Sequence, residues 1–314
     1  MLRYKAFGLR ISSDIELPEL PPASAAGESD LLLRFNGGAS GASAATRWLT
    51  RLEASTREPW LCCGRTGGGY LLRFPGIADL LVADDGRSIE CTAAQVAASD
   101  PTLRHLVLDH VMPLVLKLRG EEALHATAVN IGGKVCALIG PSGIGKSTLA
   151  AAFLRAGNDV LSDDCLRLLL CSGRVHVAPS YPGVRLSDEG WASFAEADEV
   201  APPAGPFKMK RRWAPRHAFD SFSDAVQPLT CIYRLERADA SRFGDSLEPL
   251  TVRRAFMELV ASTFRFDALD RSMLSAEFEI WSQVASAVPV RRLVLDEDIR
   301  GVRTRARILA DLSA

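Results

Sequence analysis

One stretch constrains this chain more than any other: Gly140-Pro141-Ser142-Gly143-Ile144-Gly145-Lys146-Ser147, which fits the pattern G-x-x-x-x-G-K-[ST]. Its flanks are those such a loop needs. The apolar run Lys134 to Ile139 predicts a strand leading in, and Ser147 to Ala156 predicts a helix leading out, stopped by Gly157. An accidental glycine-rich turn would not have both neighbours in place. Triphosphate oxygens require several converging backbone N–H groups, so glycines must let the main chain approach closely. The helix start adds its positive dipole end. Lys146 is expected to reach the β- and γ-phosphates of ATP, and the Ser147 hydroxyl to ligate Mg²⁺, with Gly140 through Gly145 and Thr148 completing the nucleotide contacts.

A loop of this kind does not separate kinases from ATPases, GTPases or sulfotransferases. The next feature narrows the choice. Ser162-Asp163-Asp164 follows a short predicted strand, and a carboxylate at a strand end beside the loop is where Mg²⁺ must be held. Two adjacent carboxylates can divide the labour, one on the metal and one taking the proton of an attacking hydroxyl. The expected division gives Asp163 the proton and Asp164 the metal together with Ser147; the reverse stays open, and a solvated turn is the competing reading.

Along the rest of the chain, residues 1–97 read as a β-rich portion and 98–314 as an α/β portion carrying the loop. Candidate strands in the first are Tyr4 to Ile11, Leu31 to Phe35, Trp60 to Cys63, Tyr70 to Phe74, Ile77 to Val82 and Ser88 to Cys91, with a hairpin turn at Asp84-Asp85-Gly86. Pro21 to Asp30 and Gly37 to Thr46 read as loops. A helix should start at Asp100-Pro101 and end at Gly120, its apolar face set by Leu103, Leu106, Val107, Val111, Leu114 and Leu118. Pro113 is expected to kink it, and His110 reads as a packing residue. From Leu124 the pattern turns to strands alternating with helices: Leu124 to Ile131 joined to Lys134 through Gly132-Gly133, then Asp159 to Ser162, Leu229 to Leu235 and Val290 to Leu295 as strands. Helices are expected at Ser187 to Val200, Val252 to Thr263 and Arg271 to Ala287, with a Pro-rich loop at Ala201 to Pro206.

Composition removes several function classes. Lys plus Arg number 37 and Asp plus Glu 38, so the near-neutral chain is no general nucleic-acid binder. No apolar run approaches a membrane span and the first residues do not begin a signal peptide, so no membrane partner and a cytoplasmic location are expected. The 7 cysteines are scattered, without metal-ligand spacing, and vicinal Cys62-Cys63 read as strand residues rather than a redox pair.

At these residues the chain resembles the catalytic domain of the HPr kinase/phosphorylase family, a fold related to phosphoenolpyruvate carboxykinase. The similarity covers roughly Leu124 to Leu166 and, more weakly, extends to Trp213. It rests on Leu124-His125 ahead of the loop, the loop itself, and Gly157 followed by Asp163-Asp164 in the same register. The resemblance implies an α/β P-loop kinase core, which follows the β-rich N-terminal portion read above, and it implies that His125 lines the catalytic centre near the γ-phosphate. Read without it, a single His on an apolar strand is a core residue. Two departures point away from HPr as the acceptor. The Glu-Ile-Arg-Gly-Leu-Gly type signature is replaced by Ser180-Tyr181-Pro182-Gly183-Val184-Arg185-Leu186, and the strand-rich first hundred residues differ from the usual N-terminal domain. The chain is similar to HPr-kinase-like proteins of peptide-modification clusters, some of which phosphorylate a serine of a lasso-peptide precursor.

Basic residues complete the expected site. Arg185 lies in an apolar passage and needs an anionic partner, either a structural carboxylate or a phosphate. Lys208 to Trp213 is a charge run, and the resemblance selects Lys210 and Arg211 for the γ-phosphate or acceptor. The expectation is therefore an ATP- and Mg²⁺-dependent kinase acting on a hydroxyl of a peptide, protein or small molecule, compatible with a homo-oligomer. The rivals are a P-loop ATPase using water and a nucleotide-responsive binding module.

Overall fold

The computed structural model of the chain describes residues 1–24, 27–37, 47–53, 58–93, 98, 100–195, 210–237, 247–295 and 301–314. Its first sheet comprises β1 (Leu2–Ala6), β2 (Leu9–Ser13), β3 (Leu31–Gly37), β4 (Arg47–Glu53), β5 (Pro59–Arg65), β6 (Gly69–Phe74), β7 (Ala78–Ala83) and β8 (Ser88–Ala93), in the order β1-β2-β3-β8-β7-β6-β5-β4. The single strand expected at Tyr4 to Ile11 is a hairpin. Phe7 and Gly8 take φ of 55° and 69° and reverse the chain between β1 and β2. Phe7 is wholly buried, so an apolar residue hid the turn. Strand β4 was not expected; it is an edge strand whose side chains are mostly exposed, so no buried face marks it in the sequence. The loop expected at Gly37 to Thr46 lies, past Gly37, outside the described residues, as does the Pro-rich Ala201 to Pro206. Cys62 and Cys63 are buried in β5, and burial pushes the Cys63 thiol up to about 12.

The predicted long helix is present but not regular. It runs as α1 (Pro101–His105), a π-helical turn (Leu106–Val111) and α2 (Met112–Leu118). Asp100 accepts from Thr102 N at 2.7 Å, the expected cap. Pro113 has no N–H to give and its ring would crowd the carbonyl four residues back, at Asp109. The widened turn stands at that point, so the irregularity expected at Pro113 precedes it by one turn. Leu103, Leu106 and Leu114 pack with Tyr70, Leu72 and Ile89 in the core of the first sheet.

The second sheet is mixed. It contains β9 (Glu122–Leu124), β10 (Ala126–Ile131), β11 (Lys134–Ile139), β12 (Asp159–Ser162), β13 (Leu166–Cys171) and β14 (Arg174–Ala178). The ribbon of β15 (Val184–Ser187) and β16 (Lys210–Trp213) stands apart, and β17 (Gln227–Arg237), β18 (Leu247–Pro249) and β19 (Val290–Leu295) complete the sheet. Strands β11, β17 and β19 are parallel neighbours, while β10 pairs antiparallel with β11 and β12. The strand expected from Leu124 to Ile131 is broken at His125, and the β13–β14 hairpin and the ribbon interrupt the expected alternation of strands and helices.

The helices are α3 (Lys146–Arg155), α4 (Asp188–Phe194), α5 (Arg216–Asp220), α6 (Val252–Ala261), α7 (Arg271–Ala287) and α8 (Val302–Ser313). Of the helix expected at Ser187 to Val200, the part beyond Ala195 is outside the described residues. Period-two alternation buries both faces of β10 and β11. Val129, Ile131, Cys136 and Leu138 pack with α3, α8 and the ribbon. Ala126, Ala128, Val135, Ala137 and Ile139 pack with α6 and α7. The protein is thus mixed α/β, with large sheets covered by helices. Among the described residues no helix is long and apolar enough to cross a membrane.

Candidate active site

The glycine loop connects β11 to α3, as the motif requires. Gly140 has φ of 143°, and a Cβ there would lie 3.1 Å from the Leu235 carbonyl oxygen of the neighbouring parallel strand. Gly145, at φ of 118°, opens α3 without any side-chain cap, so the first-turn N–H groups of this helix have no side-chain acceptor. A Cβ at Gly143 would meet nothing within 4 Å, and the Gly143 carbonyl accepts from Arg237 Nη2 at 3.2 Å. Lys146 is buried and donates from Nζ to the carbonyls of Gly140 (2.9 Å) and Pro141 (3.4 Å). Burial pulls its ammonium below the usual lysine range, Lys210 adds to that, and Asp164 and Asp163 oppose it. An oxyanion at the loop mouth fits this donor set.

Asp163 and Asp164 follow β12 and point to different partners. Asp163 is fully buried. Its Oδ1 accepts from Thr127 Oγ1 at 2.6 Å and from Ser147 Oγ at 3.0 Å, and its Oδ2 accepts from the Arg185 backbone N–H at 2.9 Å. Burial raises its carboxyl above the ordinary range, as does the neighbouring Asp164, against these hydrogen bonds and Lys210. Asp164 takes φ of 65°, a left-handed conformation that aspartate tolerates better than most residues. That twist sends its carboxylate toward His125, with Oδ1 3.5 Å from Nε2. Burial would push the Asp164 carboxyl up, but His125, Lys210 and Lys146 outweigh it and hold the group well below the usual range. Of the two carboxylates, it is Asp163 that the Ser147 hydroxyl bonds, whereas Ser147 was expected to share the metal with Asp164. His125 stands in the break between β9 and β10, about one-third exposed, its ring 5.8 Å from Phe264. It is not a core residue.

The basic residues sort by strand geometry. In the ribbon, Arg185 pairs with Arg212 and Ser187 with Lys210, so these four share one face. Leu186, Arg211, Val184 and Trp213 share the other. Lys210 faces the centre, where its charge acts on Asp163, Asp164 and Lys146. Arg211 faces away, paired at the surface with Asp188 at 3.2 Å and set against Trp191. Adjacent strand residues cannot both face one site, so the pair expected to act together is split. Arg185 has the carboxylate partner that its apolar setting demands. Its guanidinium is ion-paired with Asp109 and contacts His105, and Tyr181 donates from its hydroxyl to the same Asp109.

Asp109, His105 and Tyr181 were not among the expected site residues, nor was His110. His105 Nδ1 lies 2.7 Å from Asp109 Oδ2, and the His105 and His110 rings are 5.0 Å apart. His110 also meets Trp60 of β5 at 5.0 Å. Burial, with His125 and Lys210 adding, lowers His110 to about 4 against the pull of Asp164, so it is neutral at neutral pH. The i, i+4 spacing of His105 and Asp109 on a predicted helix was the available signal; the apolar periodicity around it masked it.

Among the described residues, no three His, Cys, Asp or Glu side chains gather into a metal cage. Mg²⁺ does not need one, because it is commonly held by a hydroxyl and one or two carboxylates plus substrate phosphates and water. Ser147 and Asp163 bring one hydroxyl and one carboxylate together.

No protein-family model matches the chain, and no curated protein matches it. Among solved structures the chain is similar to the HPr(Ser) kinase/phosphatase from Coxiella burnetii. The two share 9% identity at a TM-score of 0.35, over 61% of this chain and 97% of that one.

Proposed function

We propose that the protein is an Mg²⁺-dependent kinase that transfers the γ-phosphoryl group of ATP to a hydroxyl, such as a serine, of a peptide or protein. The observation carrying this reading is the convergence of Lys146, Ser147, Asp163, Asp164 and Lys210 beside an uncapped glycine loop. The loop N–H groups and Lys146 bind the phosphates. Ser147 and Asp163 would hold Mg²⁺, which supplies charge neutralisation on the phosphate oxygens when bound.

Asp164, beside His125, takes the proton of the acceptor hydroxyl. The acceptor oxygen bonds to the γ-phosphorus, the bond to the β,γ-bridging oxygen breaks, and ADP leaves. A carboxylate of low pKa is not handicapped here, because in a loose phosphoryl transition state the proton departs late. His125 donates toward the transferring phosphoryl oxygens. This division reverses the one expected from the sequence. The electrostatics of the two carboxyls taken alone would favour the original one, since Asp163 is raised and Asp164 lowered. A divalent ion held by Ser147 and Asp163 would outweigh that balance, so the roles are assigned from the hydrogen-bond geometry.

The test is incubation of the full chain with Mg²⁺, γ-labelled ATP and serine-containing peptides, followed by mass spectrometry. Label on a serine, matched by ADP, supports the kinase, and Lys146→Ala should lose it. Label found only in inorganic phosphate would assign water as the acceptor, and absence of nucleotide binding would remove the loop from the mechanism.

A second expectation concerns His125→Gln. The side chain is one-third exposed and its contact with Asp164 is long, so the unfolding midpoint should barely move. Single-turnover transfer should fall by about 10²-fold, the scale for losing one donor to developing charge. A destabilised but fully active variant would return His125 to a packing role.

A further inference from the structure

The glycine loop has two unlike sides. On one, Ser147 and Thr127 meet Asp163, where β10 and β12 stand. On the other, β17 and β19 run parallel to β11, so that the carboxyl ends of all three strands lie together. Sheets of this kind take their ligands in the crevice outside those ends. The order β12-β10-β11-β17 puts three strand spacings, about 14 Å, between the strand of the two carboxylates and the far side of the loop. The reaction proposed above places the γ-phosphoryl group and the acceptor at Asp163 and Asp164. The rest of an extended nucleoside triphosphate runs away from those carboxylates, and the opposite side of the loop is β17.

Arg237, the last residue of β17, stands there. Its side chain is exposed, and its Nη2 donates to the carbonyl of Gly143, the fourth residue of the loop, at 3.2 Å. The register sets Arg237 beside Leu295, the last residue of β19, just as it sets Leu235 beside Leu293. Residues two apart along a strand share a face, and Tyr233, Leu235 and Leu293 on this face pack with α3 and α8. Leu295 Cδ1 lies 3.5 Å from the place a Cβ on Gly145 would occupy, so this leucine reaches the loop as well. Ile144 and Leu295 are only partly buried against the same core. A flat cation with one donor spent on the loop thus stands beside two half-covered aliphatic side chains. We propose that the nucleoside of ATP lies over the carboxyl ends of β17 and β19, with the Arg237 guanidinium stacked on its base and Ile144 and Leu295 against its apolar surface. A guanidinium combines charge with a planar face, which an aromatic base can use and a phosphate cannot. The inference rests on the kinase reading for the triphosphate in the loop and adds where the nucleoside goes.

The test is calorimetric titration of the full chain, in Mg²⁺, with ATP and with inorganic tripolyphosphate, which has the phosphates and no nucleoside. Arg237→Ala is expected to weaken ATP binding by about tenfold, within the range of a cation–π contact, and to leave tripolyphosphate binding unchanged. Arg237→Lys should recover only part of the loss, because an ammonium keeps the charge without the flat face. The side chain is exposed, so unfolding midpoints of both variants should match the wild type. An equal loss for the two probes would make Arg237 a prop of the loop or a phosphate ligand and would overturn the proposal. Unchanged ATP binding in Arg237→Ala, or full recovery in Arg237→Lys, would overturn it too. Binding of neither probe by the wild type would overturn it together with the loop on which it rests. The two readings can also fail separately. A loss confined to ATP, with no label passed from γ-labelled ATP to a serine peptide, would uphold the nucleoside site and sink the kinase. Label transfer to serine with equal losses for both probes would do the opposite.

Discussion

Asp164→Asn should lower single-turnover phosphoryl transfer by about 10²- to 10⁴-fold, the range for losing a positioned general base, while leaving the Mg²⁺ concentration for half-maximal activity unchanged. Asp163→Asn should do something different: raise that Mg²⁺ requirement sharply, with transfer partly recovered at high metal. The reason lies in their contacts. Asp163 is fixed beside Ser147 by donors from Thr127, Ser147 and the Arg185 backbone, the placement that a metal shared with Ser147 requires. Asp164 is turned toward the partly exposed His125 instead, with Oδ1 3.5 Å from Nε2. The amide of an asparagine at 163 can settle opposite the Thr127 and Ser147 hydroxyls, which can rotate to accept, so the fold should survive the change. A titration of transfer rate against Mg²⁺ for both variants decides the matter. A pure rate loss in Asp163→Asn and a metal phenotype in Asp164→Asn would restore the division read from sequence alone.

Asp109→Asn is expected to destabilise the protein by about 3–5 kcal/mol, the usual loss when one member of a buried ion pair is neutralised. Asp109 and Arg185 side chains are almost completely buried, and Asp109 also accepts from Tyr181 and pairs with His105. Removing the carboxylate strands a guanidinium with no water to turn to. The double variant Asp109→Asn/Arg185→Met should recover much of the loss, because a hydrophobic replacement of a buried pair is often close to neutral. Denaturant unfolding of the two variants and the wild type measures both effects. A loss below about 1 kcal/mol for the single variant, the scale of an exposed pair, would mean that Arg185 has another partner.

These residues also mark how far a linear reading reaches. The loop from Gly140 to Ser147, the strand before it and the helix after it were legible because every determinant is local: backbone freedom at glycine, apolar alternation, a helix stop at Gly157. The Gly132-Gly133 turn and the α7 helix were legible for the same reason. The β1–β2 turn was not, because a buried Phe7 occupies a left-handed position that sequence logic reserves for small polar residues. Arg211 and Arg212 show an intermediate case. Nothing in the composition of Lys210-Arg211-Arg212 says which cation faces the site, yet the period of two would have chosen Lys210 and Arg212 had the run been read as a strand.

What the sequence determined by itself was therefore the chemistry on offer, namely a glycine-rich loop, a lysine, a hydroxyl and two carboxylates within a short stretch. What only the tertiary structure decided was who meets whom. Ser147 joins Asp163 because α3 and β12 flank the same strand, β10, which also supplies Thr127. His105 and Asp109 arrive from a helix packed on the first sheet and close on Arg185 of a ribbon far along the chain. Such contacts depend on sheet order and register. Those are set by the burial of whole faces, summed over residues distant in sequence, and no local pattern encodes that sum.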